Sequence, residues 1–422
     1  MYFHSYPLRG LILLLILLLT PNLMSGYSVL THEQIVDLAW ADRIEPLLRH
    51  RFPNATDDDL VKAHAYAYGG CVIQDLGYYP FGSKDFSNLV HYVRSGDFVL
   101  ALLQDADDLD EYAFALGALA HYVADTDGHP AVNRAVALEY PKLRAKFGDK
   151  VTYDENHTAH IRTEFGFDVV QVAKNRYTSD AYHNFIGFEV SMPLLEEAFR
   201  QTYGIELGDV FASVPLAIGT YRHSVSTIVP EMTRVALLTK RADLVREEPN
   251  FSKQKFLYRL SRTEYEREWG REYLKPGPGA RFLAFVIRIL PKIGPLKAVD
   301  YTLPSPPTED LYIKSVNRTV DSYKAKLALL QDGKPLSLSD LDFDTGEPTR
   351  PGEYELADKT YAKLVGKLAE RHFDMVTPAL RENILVFYSS PYAVQPGHTT
   401  PDQWRKVVSD VEDLKGYSPV GQ

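Results

Sequence analysis

The sequence predicts an all-α fold, a multi-helix bundle. Apolar residues recur at helical spacing along most of the chain after residue 30, and start and stop signals bracket those runs. No stretch alternates apolar and polar residues for long among strand-forming types. Thr31 and Gln34 fit a capping box ahead of Ile35, Leu38, Ala39, Leu47 and Leu48, and Pro53 ends that helix. Thr56 with Asp57, Asp58 and Asp59 opens a second helix through Val61, Ala65 and Val72. Leu109, Ala113, Leu116, Ala120 and Val123 mark a third, expected to stop at Gly128 and Pro130. Further helices are expected over about 154–177 and 181–203, and less regularly over 216–246, 308–331 and 354–388. The stretch 332–353, rich in Gly, Pro, Ser and Asp, reads as a long surface loop, and the polar tail after Pro391 as irregular.

Bulk properties narrow the class. Of 422 residues, 45% are hydrophobic and 24% charged, an ordinary globular composition that excludes wholesale disorder. The net charge of −10 argues against a stable nucleic-acid partner, which needs a basic footprint. A single cysteine, Cys71, excludes an intramolecular disulfide, so packing, with or without bound metal, must hold the fold. Arg9, the apolar run Leu11 to Leu19, and the small residues Ser25 and Gly26 read as a secretory signal over residues 1–26. That run falls short of the roughly 20 residues a bilayer span takes, although a retained anchor is the alternative. Cleavage after Gly26 would make Tyr27 the N-terminus of a secreted or periplasmic protein.

The 13 histidines are unevenly placed. His121 and Asp125 lie four residues apart on one helix face, and His129 follows. His160 and Glu164 repeat the spacing on the next helix. Imidazole nitrogen and carboxylate oxygen are ligands that zinc accepts at about 2.0–2.2 Å, and facing helices can hold metals between them. One such pair alone is more often a buried ion pair; two pairs with a third histidine are stronger evidence. His32, Asp75 and His91 join the set, and His157 and Asp127 are possible neighbours. His64, His50, His183, His223 and His372 read as core or surface residues, and Tyr78 and Tyr79 as packing or pocket lining.

This ordered set resembles the zinc-dependent phospholipase C family, which shares its fold with the single-strand-specific zinc nucleases and the N-terminal domain of glycosylphosphatidylinositol-specific phospholipase D. The resemblance implies a catalytic domain over 27–210, with 211–422 a mainly helical extension of unassigned role, possibly continuous with that core. It implies up to three zinc ions. The amino group of Tyr27 and His32 would hold one; Asp75, His91, His121 and Asp125 a second, with Asp125 bridging; His129, His160 and Glu164 the third. Asp75 would act as general base. Two features depart from the family pattern: a tyrosine rather than tryptophan start, and a gap of only four residues from Asp125 to His129.

The implied function is a secreted phospholipase C acting on phospholipid headgroups. A secreted nuclease or nucleotidase is the alternative, and a non-catalytic lipid- or surface-binding protein with a vestigial site the third reading. Residues 253–298 carry eleven Lys or Arg against four Glu, and within them Arg281, Arg288 and Lys292 share one helical face. The stretch 281–297 is therefore either a buried helix with a solvated basic stripe, the favoured reading, or a peripheral membrane contact.

Overall fold

The computed structural model describes residues 28–173, 177, 186–229, 303–390 and 400–417. Helices dominate them, with one two-stranded antiparallel hairpin, so the all-α class holds. In the first half run α1 (Val29–Ala39), α2 (Glu45–Arg51), α3 (Asp57–Ile73), α4 (Lys84–Tyr92) and α5 (Ser95–Asp105). They are followed by α6 (Leu109–Glu139), α7 (Pro141–Phe147), α8 (His157–Ala173), α9 (Met192–Tyr203) and α10 (Val214–His223). Further on come α11 (Pro306–Gln331), β1 (Leu341–Asp342), β2 (Glu347–Pro348), α12 (Glu355–Glu370), α13 (Pro378–Ser389) and α14 (Pro401–Gly416). Among the described residues no helix is long and apolar enough to cross a membrane. The signal segment, Tyr27, and the basic stretch 281–297 lie outside the described residues.

Helix α6 is the axis of the molecule. It packs along α3 on one side and along α11 on another. Two glycines set the first contact: a Cβ on Gly117 would collide with the Ala67 carbonyl oxygen, and one on Gly70 with the Phe114 carbonyl oxygen. The α3 and α6 backbones therefore touch, which brings residues 71–75 beside 121–125. One hydrophobic core runs through both parts of the chain, joining Val72, Phe114 and Leu119 to Tyr323, Phe343, Leu364 and Leu380.

Several expected boundaries move, each for a local reason. Thr56 and Asp59 do form a capping box at the start of α3. Thr31 does not cap α1: the helix begins at Val29, and the Thr31 hydroxyl bonds Asp168 Oδ1 at 2.7 Å and the Tyr312 hydroxyl at 2.8 Å. Pro130 does not end α6, which continues through it to Glu139. Proline removes the hydrogen bond to the Thr126 carbonyl, and Gly346 of the β1–β2 turn packs against that carbonyl and the Pro130 ring. Helix α9 begins only at Met192, with Pro193 in its first turn. The tail after Pro391 is not irregular throughout. Thr400 and Gln403 cap α14, whose Val407, Val411 and Leu414 are buried.

The largest correction concerns 332–353. It is not a surface loop throughout: much of it is exposed, but Asp342, Phe343 and Asp344 are buried, Phe343 within the main core. Burying a phenylalanine stabilises by about 1.5–3 kcal/mol, which makes this segment a structural insertion.

Replacing Gly117 with alanine tests the crossing. Alanine gains about 1 kcal/mol of helix propensity over glycine, while overpacking against backbone costs typically about 1–3 kcal/mol. Gly117→Ala should therefore lower unfolding free energy in urea titration; equal or greater stability would show that the crossing is not tight.

Candidate metal centre

The residues expected to hold metal converge, and each is placed by a separate local device. His32 sits on the first turn of α1. That turn is tied to α8 by Asp168, whose Oδ2 accepts the Leu30 N–H at 3.0 Å and whose Oδ1 accepts the Thr31 hydroxyl. Burial raises the Asp168 pKa to about 6, against hydrogen bonds that lower it. The His32 ring stacks on His121 with centroids 4.4 Å apart.

Asp75 lies on the 3₁₀ turn Gln74–Tyr78 that follows α3. Ser87 of α4 clamps this turn: its hydroxyl donates to the Gln74 carbonyl at 2.5 Å and accepts the Gly77 N–H at 2.8 Å. One turn later His91 lies 2.8 Å through Nδ1 from the Ser87 carbonyl. On α6, His121 lies 2.8 Å through Nδ1 from the Cys71 carbonyl, at the glycine crossing. A carbonyl can only accept, so both rings carry a proton on Nδ1 and turn Nε2 inward, the nitrogen whose lone pair a metal would take.

Those nitrogens meet the Asp125 carboxylate, which is fully buried. Asp125 Oδ2 lies 3.2 Å from His121 Nε2 and 3.5 Å from His91 Nε2. Its Oδ1 lies 3.5 Å from His32 Nε2 and 3.7 Å from His129 Nε2. Asp75 Oδ1 is 3.3 Å from His91 Nε2. Ligands held tetrahedrally at 2.0–2.1 Å stand roughly 3.3 Å apart, and these separations cluster there. Both Asp125 oxygens, Asp75 Oδ1, and Nε2 of His91, His121 and His129 are buried without a hydrogen-bonding partner. Polar atoms left so in a dry interior are costly unless a cation, proton or metal, stands between them. The donor set and its orphaned atoms thus fit zinc. Two trios, His32/His121/Asp125 and Asp75/His91/His121, bring ligand atoms within 4.8 Å of one another.

His160 and Glu164 are buried nearby but face each other. His160 Nδ1 lies 2.6 Å from Glu164 Oε1, and its Nε2 lies 2.7 Å from Asn133 Oδ1. Burial lowers the His160 pKa to about 3 and raises that of Glu164, so both favour their neutral forms. Among the described residues, His129, His160 and Glu164 do not form an open trio of ligand atoms. His157 is exposed, with its ring edge-on to Tyr153. Asp127 is half-buried and is engaged through its carbonyl by Arg318. Tyr78 packs edge-on to His91, whereas Tyr79 packs against Tyr221 in the core. His64 is a core residue, bonded to Asp37 and stacked on Trp40.

One residue of the centre lies outside the expected set. Asp344 is fully buried, and its Oδ1 stands 3.2 Å from His129 Nδ1. Its only sequence signal is the alternation Asp340-Leu341-Asp342-Phe343-Asp344. That pattern has the period of a strand with one face buried, within a stretch whose composition reads as loop.

Electrostatically the cluster is built to hold positive charge. Burial disfavours a charged His91, yet hydrogen bonds and charge from Asp125 and Asp75 outweigh it and push its pKa up to about 10. Burial would also raise the Asp125 pKa, but His121 and His129 hold it well below the ordinary carboxylate value. Metal therefore competes with a proton for His91 Nε2. Zinc binding should release protons, and affinity should fall as pH drops from about 8 to 6. Calorimetric titration in buffers of different ionisation enthalpy measures this; binding without proton release would contradict the assignment of His91 as a ligand.

No solved structure and no curated protein matches the chain. Residues 31–213 do match one protein family, described as zinc dependent phospholipase C. The match covers under half of the chain, yet it spans His32, Asp75, His91, His121, Asp125, His129, His160 and Glu164, and it leaves out Asp344. Over residues 31–213, which supply every residue of this centre but Asp344, the chain is similar to the zinc-dependent phospholipase C family.

Proposed function

We propose that the protein is an exported phospholipase C that hydrolyses the phosphodiester of phospholipid headgroups. The observation that carries this reading is the buried Asp125 carboxylate, with its two oxygens between two pairs of imidazoles in a segment similar to the phospholipase C family. Asp75, His91, His121 and Asp125 would hold one zinc; His32 and Asp125 would hold the second, with His129 close by and the amino group of Tyr27 as a further ligand. A third ion at His129, His160 and Glu164 would require the last two to exchange their mutual hydrogen bond for metal. Bound there, zinc supplies charge that neutralises a phosphodiester and makes water acidic enough to attack near neutral pH.

The chain's own groups supply the rest. Burial raises the proton affinity of Asp75 above that of an ordinary carboxylate, which suits it to take the proton of attacking water. The carbonyls of Ser87 and Cys71 hold the His91 and His121 rings fixed, so little reorganisation is needed during reaction. A leader at residues 1–26 would deliver the protein outside the cytoplasm.

The test compares release of phosphorylated headgroup from phosphatidylcholine vesicles with hydrolysis of single-stranded DNA. Vesicle hydrolysis should dominate, and Asp125→Asn should lower it by about 10³-fold or more, since several kcal/mol of charge stabilisation are lost. Preferential DNA cleavage would reassign the protein to the nucleases. Retained activity in Asp125→Asn would remove the proposed site.

A further inference from the structure

We propose that Asp344, from outside the family match, is a positioning residue of the metal centre. Its carboxylate fixes His129 with the proton on Nδ1, so that Nε2 faces Asp125. The proposal rests on the reading of the cluster as a metal centre.

Four observations carry it. First, Asp344 Oδ1 and His129 Nδ1 stand 3.2 Å apart, within ion-pair distance, and both are buried with no hydrogen bond elsewhere to claim them. The opposite ring nitrogen, Nε2, lies 3.7 Å from Asp125 Oδ1. The His129 ring thus stands between the Asp344 and Asp125 carboxylates, one ring nitrogen facing each. Metal-binding histidines commonly give their second N–H to a carboxylate, which sets tautomer and ring orientation.

Second, the carboxylate is itself held. Its Oδ2 accepts the Tyr92 hydroxyl at 2.9 Å and the Tyr354 hydroxyl. Third, its backbone is held on both sides. The Asp344 N–H donates to Asp342 Oδ1 at 2.9 Å, and its carbonyl accepts the Asn133 side-chain amide at 2.7 Å. The oxygen of that same amide faces His160 Nε2, so one peptide segment steadies His129 directly and His160 through Asn133.

Fourth, the hairpin that carries Asp344 is docked onto the centre. The Phe343 N–H donates to the His91 carbonyl at 3.2 Å, and its ring lies 5.0 Å from the His91 ring and 6.0 Å from that of His121. Gly346, with φ +73°, turns the hairpin against Thr126 and Pro130, one residue from His129. A buried carboxylate is costly to keep unless paired. Here its pairing is an imidazole whose other nitrogen faces Asp125.

The test uses the full mature chain loaded with zinc, and with cobalt as a spectroscopic probe. Zinc affinity is measured by competition with a chromophoric chelator for wild type, Asp344→Asn and Asp344→Glu. Asp344→Asn should bind its weakest-held ion about 10–100-fold less tightly and shift the visible cobalt spectrum, with Asp344→Glu recovering part of both. In a His129→Ala background, Asp344→Asn should add little further loss, because it acts through that ring. If Asp344→Asn does not fold, Tyr354→Phe serves, since it loosens the carboxylate while keeping its charge; weaker metal binding is expected. Wild-type affinity and an unchanged cobalt spectrum in the folded variant would overturn the proposal alone. A wild-type protein that binds no zinc would overturn the metal centre itself.

Discussion

Everything in this molecule depends on one buried charge. Asp125 sits in the middle of α6 with no exposure, and both its oxygens face histidine nitrogens at separations suited to metal ligands. An uncompensated carboxylate at such a position costs several kcal/mol. Two of its four histidine neighbours turn Nε2 toward it, their other nitrogen being committed to a backbone carbonyl. A divalent cation resolves that arrangement. Folding and metal binding are then one thermodynamic problem, which suits a chain with a single cysteine and no cross-link.

The remaining architecture reads as the means of delivering ligands to Asp125. The Gly70 and Gly117 contact lets α3 and α6 approach closely enough for Cys71 to steady His121 and for Asp75 to follow at the helix end. Ser87 ties the Asp75 turn to the helix that carries His91. Asp168 ties the start of α1, and with it His32, to α8. Each ligand is thus placed by a helix end or a side-chain clamp on a neighbouring helix. The hairpin from the second half closes the assembly beneath His91, His121 and His129.

What was legible in the sequence follows from how local each signal is. His121, Asp125 and His129 were legible because four-residue spacing on a helix fixes a common face whatever the tertiary structure. The all-α class was legible for the same reason, and the Thr56 cap because its partner is three residues away. Thr31 was misread because its hydroxyl is claimed by Asp168 and Tyr312, 137 and 281 residues distant. Asp344 was missed because Gly, Pro, Ser and Asp have the same composition in a solvated loop and in a buried hairpin, and the alternation Asp340–Asp344 is too short to override it. Only Phe343 docking on His91 distinguishes them. His160 and Glu164 had the right spacing and burial, yet spacing could not show that they hydrogen-bond to each other.

The most direct measurement is X-ray diffraction from zinc-loaded crystals of the mature protein on either side of the zinc absorption edge. The account expects anomalous density on both sides of Asp125, one peak among Asp75, His91 and His121 and one beside His32. An absence of anomalous density within bonding distance of either Asp125 oxygen would contradict it.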